Sequence, residues 1–142
     1  MLMKSIIRFG RFSLFVIFFW FGILKVIGIS PAEPLVNHLF DKILIDLMPF
    51  QVFNRLFGLA ECAIGVIWLF PKFTKEALYV LLIHMVITFV PEVILPDDTW
   101  QMWFTPTLIG QYIIKNLALI SLGLLIYKNQ KDLDVPLVLE SN

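Results

Sequence analysis

A chain of 142 residues that is 59% hydrophobic and only 15% charged exposes more apolar surface than a soluble domain, which averages about a quarter charged residues. Its formal net charge is zero, which removes the basic field that nucleic-acid binding requires, so no nucleic-acid partner is expected. The single cysteine, Cys62, excludes an intramolecular disulfide, a CxxC redox pair and a cysteine zinc site; in its apolar run it reads as a small buried hydrophobe.

The chain starts with Lys4, Arg8 and Arg11 and turns apolar at Phe12. A signal peptide would need a small-x-small cleavage site, but Gly22, Ile23, Leu24 and Lys25 follow, so the segment is expected to be a retained first span. The aromatics from Phe12 through Phe21 read as lipid-facing and packing surface. The next stretch reads as a surface helix over residues 31–47. Ser30 would cap it, Pro31 would take the first helical position, and Glu33 would complete a capping box. Leu35, Val36, Leu39, Phe40, Ile43 and Leu47 recur at helical spacing, with Asn37, His38, Asp41, Lys42 and Asp46 on the other side. Such a helix lies on a membrane surface, and it should stop before Pro49.

Three further apolar runs follow, giving four expected spans over about 12–28, 54–71, 77–95 and 107–127, and then a tail over 128–142. Each approaches the roughly 20 residues a crossing needs, and no alternating pattern of barrel strands competes. The expected fold class is therefore an all-α integral membrane four-helix bundle in one domain, with an amphipathic outer-surface helix between spans one and two. Lys4, Arg8, Arg11, Lys72, Lys75, Lys128 and Lys131 fall on one side, whereas Lys42 and Arg55 are the basic residues of the other. By the positive-inside rule both termini are cytoplasmic, and Trp100 and Trp103 fit the outer aromatic belt.

Lys25, Glu61, Glu92 and Lys115 each interrupt a span. An ionised group at mid-bilayer costs at least ~2.5 kcal/mol, so two acids and two bases are expected to face inward and neutralise one another. Rises of ~1.5 Å per residue put all four in the outer half of the membrane. Gly22, Lys25 and Gly28 share a face of span one, and Gly58, Glu61 and Gly65 share one of span two. Gln111 and Lys115 stack on span four with Asn116 beside them, and His84, Thr88 and Glu92 rise along span three. Pro91 should free a backbone carbonyl one turn back. The four faces can converge on a polar pocket with the surface helix as its lid. Lys25 has an alternative, snorkelling outward from near its helix end. His84 taken alone reads as a hydrogen-bonded core residue. The whole charged set is open to two readings, an ion-pair network that fixes helix register or a head-group site or proton path. No cluster has metal-ligand spacing, and no self-contained catalytic motif occurs.

Gly22-Ile-Leu-Lys25, Gly58-Leu-Ala-Glu61 with Gly65, and Gln111-Tyr-Ile-Ile-Lys115-Asn116 resemble the DoxX-like family of small four-helix membrane proteins, from about Arg11 to Tyr127. Trp20-Phe-Gly22-Ile-Leu-Lys25 followed by Pro31-Ala-Glu33-Pro34-Leu-Val36 also resembles the related YkgB-like group. The resemblance implies a bacterial inner-membrane protein with a redox or quinone association, because one branch supplies the small membrane subunit of a thiosulfate:quinone oxidoreductase and others are linked to oxidative stress. On that reading Lys25 and Lys115 would hold the oxygens of a small polar or quinone head group. Glu61 would balance charge or carry a proton, and Gln111 and Asn116 would donate hydrogen bonds. The chain brings no cofactor ligand set of its own. The expected partners are the lipid bilayer and an oxidoreductase subunit or further copies of the chain. A small oligomeric transporter or channel and a structural membrane anchor for another subunit are the rival functions.

Overall fold

A computed structural model describes residues 2–44 and 47–134, with side chains up to residue 130. Asp46 of the surface helix, the Lys131 side chain and the tail from residue 135 lie outside the described residues.

Four helices are long and apolar enough to cross a membrane. The first, α1, runs over Leu2–Val26 and buries Ile7, Arg11, Leu14, Phe18, Gly22 and Lys25. These residues recur every three or four positions, so they form one stripe on a 3.6-residue helix. The helix starts at Leu2 rather than at Phe12. Its end is a glycine-dependent stop: Gly28 takes φ +74°, its N–H donates to Lys25 O, and Ile29 N–H donates to Leu24 O. This pairing is a Schellman motif, which requires a left-handed residue that glycine adopts freely. Gly28 therefore lies beyond the first span.

The amphipathic helix α2 covers Glu33–Ile43, shorter at both ends than its apolar pattern suggested. Ser30 does not cap it. Its hydroxyl accepts instead from Ala32 N–H at 3.3 Å, and Pro34 rather than Pro31 sits in the first turn. Phe40 is its buried anchor, whereas Asp41 and Lys42 are exposed. Helix α3, Phe50–Ile67, begins after the extended Pro49. A short 3₁₀ turn, Pro71–Phe73, then leads into α4, Thr74–Ile94, which carries Pro91 without breaking.

The link to the last span holds structure that apolar periodicity did not reveal. A one-turn helix α5, Pro96–Thr99, precedes a two-stranded hairpin of β1, Trp100–Met102, and β2, Thr105–Pro106. Phe104 at its tip has φ +57°. Helix α6, Leu108–Asp134, completes the bundle.

Helix α1 packs most extensively on α3, and α4 on α6; smaller contacts of α1 with α6 and α3 with α4 close the ring. Its centre holds Leu14, Phe18, Ile64, Trp68, Leu78, Leu81, Met85 and Ile126. Outward-facing positions stay apolar: Trp20, Leu59, Ile83, Val86, Leu117 and Leu125 are all exposed. A soluble monomer does not leave apolar surface on this scale uncovered; a bundle surrounded by lipid does.

Arg11 ties one end of the ring together. Its guanidinium donates to Trp68 O at 3.2 Å, to the Thr74 hydroxyl and to Gln130 Oε1 at 3.2 Å, joining α1, α3, α4 and α6. Arg11 is thus a buried clamp rather than one more surface charge. Both ends of the described chain lie on this side of the bundle, and Lys4, Arg8, Lys72, Lys75 and Lys128 are exposed. At the opposite end lie α2 and the hairpin, where His38 Nδ1 pairs with Asp98 Oδ2 at 2.7 Å.

Candidate functional site

The site is built where α1, α3 and α4 meet. Gly22 and Gly58 face each other, and a Cβ on Gly22 would stand 2.6 Å from Gly58 O. The two backbones touch because neither helix has a side chain there. One turn on from each glycine stand Lys25 and Glu61, which this close approach brings together. Lys25 Nζ lies 2.6 Å from Glu61 Oε2, with both side chains shielded. Lys25 therefore turns inward to a partner and does not snorkel.

His84 enters from α4. Its Nε2 lies 3.5 Å from Glu61 Oε1, so one carboxylate faces an ammonium through one oxygen and an imidazole through the other. At this distance the imidazole is an electrostatic neighbour rather than a tight hydrogen bond. Aromatic rings hold its plane: His84 stacks on Phe57 at 5.4 Å and meets the edge of Phe18 at 5.5 Å. Lys25 Nζ also lies 5.6 Å from the Phe57 centroid, within the range of a cation–π attraction. Cys62 is buried beside Glu61 in the chain, and its thiol faces Phe19 O at 3.6 Å.

A column of rings links this set to α2. Phe57 stacks on Phe53 at 5.9 Å with planes 8° apart, and Phe53 packs on Phe40 at 5.0 Å. The amphipathic helix thus reaches the charged set through a chain of aromatic contacts that starts at the buried Phe40. Next to it, Pro34, Leu35, Asn37, His38, Asp41, Asp98 and Ile109 line an open groove of about 280 Å³.

Of the sequence candidates, Lys25, Glu61 and His84 come together. Gln111 and Lys115 do not join them: both are exposed, and the Lys115 ammonium lies 5.1 Å from the ring of Tyr112 on its own helix. The reason is the phase of α6, which buries Gly110, Ile113, Gly123 and Ile126. Gly110 and Gly123 admit Thr99 and Leu81 of the neighbouring elements, and this turns the Gln111–Lys115 face outward. Asn116 is half-buried at the margin of that face. The expected two-acid, two-base neutralisation therefore reduces to one ion pair and a histidine.

Glu92 stands apart. Its residue is half-buried, yet both carboxylate oxygens are shielded and meet no hydrogen-bond partner among the described residues. Its backbone carbonyl accepts the Trp100 indole N–H at 3.1 Å, and Thr88, between it and His84, donates to His84 O at 2.8 Å.

Three residues escaped the sequence reading: Arg11, Phe18 and Phe57. Arg11 and Phe18 share the spacing of Leu14, Gly22 and Lys25 along α1, and Phe57 lies one turn before Glu61, so helical periodicity carried a signal for all three. Among the described residues no group of three or more His, Cys, Asp or Glu could hold a metal ion.

Comparison with protein-family models, with curated proteins and with solved structures finds no match to this chain.

Proposed function

We propose that this chain is a DoxX-like protein of the bacterial inner membrane, crossing it four times with both termini in the cytoplasm. It serves as the small membrane subunit of a redox or quinone-linked system, with Lys25, Glu61 and His84 as its polar site. The observation that carries the reading is the Lys25–Glu61 pair, 2.6 Å long and shielded, inside a bundle whose outer surface is apolar. Ionisable groups so placed in a membrane segment point to a substrate, ion or proton site. Two of the three DoxX-like segments, Gly22 to Lys25 and Gly58 to Glu61, are the segments pressed together around that pair. The orientation rests on the exposed Lys and Arg side chains gathered at the Arg11 end.

The residues present fit a quinone head group by their chemistry. The Lys25 ammonium and the His84 imidazole would donate to its oxygens. Such a group supplies two-electron, two-proton redox chemistry when bound. This chain's own part is to hold the oxygens, exclude water and keep a carboxylate within reach of a proton.

Decylubiquinone added to the protein in lipid nanodiscs tests the assignment. The parent is expected to gain thermal stability with increasing quinone, and Glu61→Gln and Lys25→Met, each less stable than the parent, to show no such gain. A parent that gains nothing, or variants that gain as much as the parent, would refute the site.

The closeness of Lys25 and Glu61 also favours a second reading, in which the pair fixes the register of α1 on α3 and the chain anchors another subunit. Buried ion pairs are often replaced by apolar residues without loss of stability. On this reading a joint Lys25→Met, Glu61→Leu variant stays folded and still co-purifies with its partner.

A further inference from the structure

We infer that α4 provides a proton path open to one end of the bundle only, running from Glu92 past Thr88 and His84 to Glu61. The inference rests on the reading of Lys25, Glu61 and His84 as a functional site, and it names what that site exchanges.

His84, Thr88 and Glu92 follow one another at intervals of four on α4. That spacing stacks them along one side of the helix over ~12 Å. The lower end of the line is closed by contact, with His84 Nε2 3.5 Å from Glu61 Oε1. The Thr88 hydroxyl sits midway, and by donating to His84 O it leaves its oxygen lone pairs to accept. At the upper end both Glu92 oxygens are shielded from solvent, and no protein donor among the described residues reaches them. A carboxyl so placed takes a proton or a water as its partner. Glu92 lies near the end of α4 that carries α2 and the hairpin, where the His38–Asp98 pair is exposed to solvent.

The other direction is closed. Below the Glu61 level the bundle is filled by Leu14, Ile64, Trp68 and Leu81, each 4% exposed or less. A packed apolar layer holds no water chain, so the path ends at Glu61. This sets it apart from the transporter or channel reading, which needs a polar route through both halves.

The charged and titratable groups facing the path are Lys25 from α1 and Cys62 from α3; α2 brings Lys42, whose ammonium donates to Ile94 O at 3.3 Å. The residues that α6 buries, Gly110, Ile113, Gly123 and Ile126, are not titratable. Each transfer moves one proton and no electron. An O–H bond of Glu92 breaks as an O–H bond forms on a water, and an O–H bond of a water beside Thr88 breaks as an N–H bond forms on His84 Nδ1. The Nε2–H bond then breaks as an O–H bond forms on Glu61 Oε1, leaving the imidazole neutral.

Infrared spectroscopy on sealed proteoliposomes of known insertion direction tests this. A carboxyl band that vanishes in Glu61→Gln is expected to respond to a pH jump on the α2 side and not, on the same timescale, to one on the other side. Glu92→Gln and Thr88→Val, neither of which removes a described hydrogen bond between helices, are each expected to slow the response about tenfold or more, the effect of ~1.4 kcal/mol in a barrier. Passive proton flux should equal that of protein-free vesicles. The inference is overturned by the absence of any Glu61-dependent band that titrates, by equal responses from both sides, or by unchanged rates in both variants. Decylubiquinone stabilisation measured on the same samples separates the two proposals. Quinone binding without sided proton access sinks only the path, and proton access without quinone binding sinks only the quinone assignment.

Discussion

Gly22 and Gly58 confront each other so closely that a Cβ on either would stand 2.6 Å from the carbonyl oxygen of the other. The contact is reciprocal, backbone against backbone, so no side-chain rotation relieves it. It also sets the distance between α1 and α3 on which the Lys25–Glu61 pair depends.

Replacing Gly22 by Val should therefore separate the helices rather than merely crowd them. Overpacking alone costs about 1–3 kcal/mol, and the loss of the ion pair adds to that. A thermal melt in detergent should show Gly22→Val well below the parent. The same substitution at Gly28, where nothing lies within 4 Å, should act only through its φ of +74° and cost about 1–2 kcal/mol. Equal losses at the two glycines would contradict the packing described for α1 and α3.

Lys25 and Glu61 should behave as a coupled pair. Removing one partner strands the other charge in an apolar interior, at a cost of about 3–5 kcal/mol. The joint Lys25→Met, Glu61→Leu variant strands neither. A double-mutant cycle read by chemical denaturation is expected to give a large coupling, with the double variant more stable than either single one. Additive losses would mean that the two side chains do not interact.

Arg11 should matter more than its place near the start of the chain suggests. Its acceptors include Trp68 O at the end of α3, the Thr74 hydroxyl on α4 and Gln130 Oε1 on α6. Arg11→Leu leaves the Trp68 carbonyl and the Thr74 hydroxyl without their donor, and is expected to cost about 2–4 kcal/mol as several charged hydrogen bonds are lost. Arg8→Leu, at an exposed position, should change stability by no more than about 0.5 kcal/mol. Similar melting temperatures for the two variants would rule out the clamp.

Lys115 should be dispensable for the bundle. It is exposed, and its ammonium lies over Tyr112 with no acid beside it among the described salt bridges. Lys115→Gln is expected to keep the parent's stability and its response to decylubiquinone. A loss of several degrees in melting temperature would return Lys115 to the buried charged set.

The four long apolar helices were legible in the sequence because hydropathy over about 20 residues is a local property. The amphipathic character of α2 was legible for the same reason, as its apolar positions follow one helical period. Lys25 and Glu61 could be marked as inward-facing because a charge facing lipid is costly and because glycines share their faces. Which residues meet was decided by tertiary structure. Lys115 looked equivalent to Lys25 by depth and charge, but Gly110 and Gly123 set the rotation of α6 and turned Lys115 outward. Arg11 looked like a flanking surface charge, yet the close approach of four helices left carbonyl and hydroxyl acceptors that its guanidinium satisfies. A single sequence states the depth and face of each residue along its own helix. The relative rotation of the helices depends on small residues at several contacts at once, and only the packed bundle determines it.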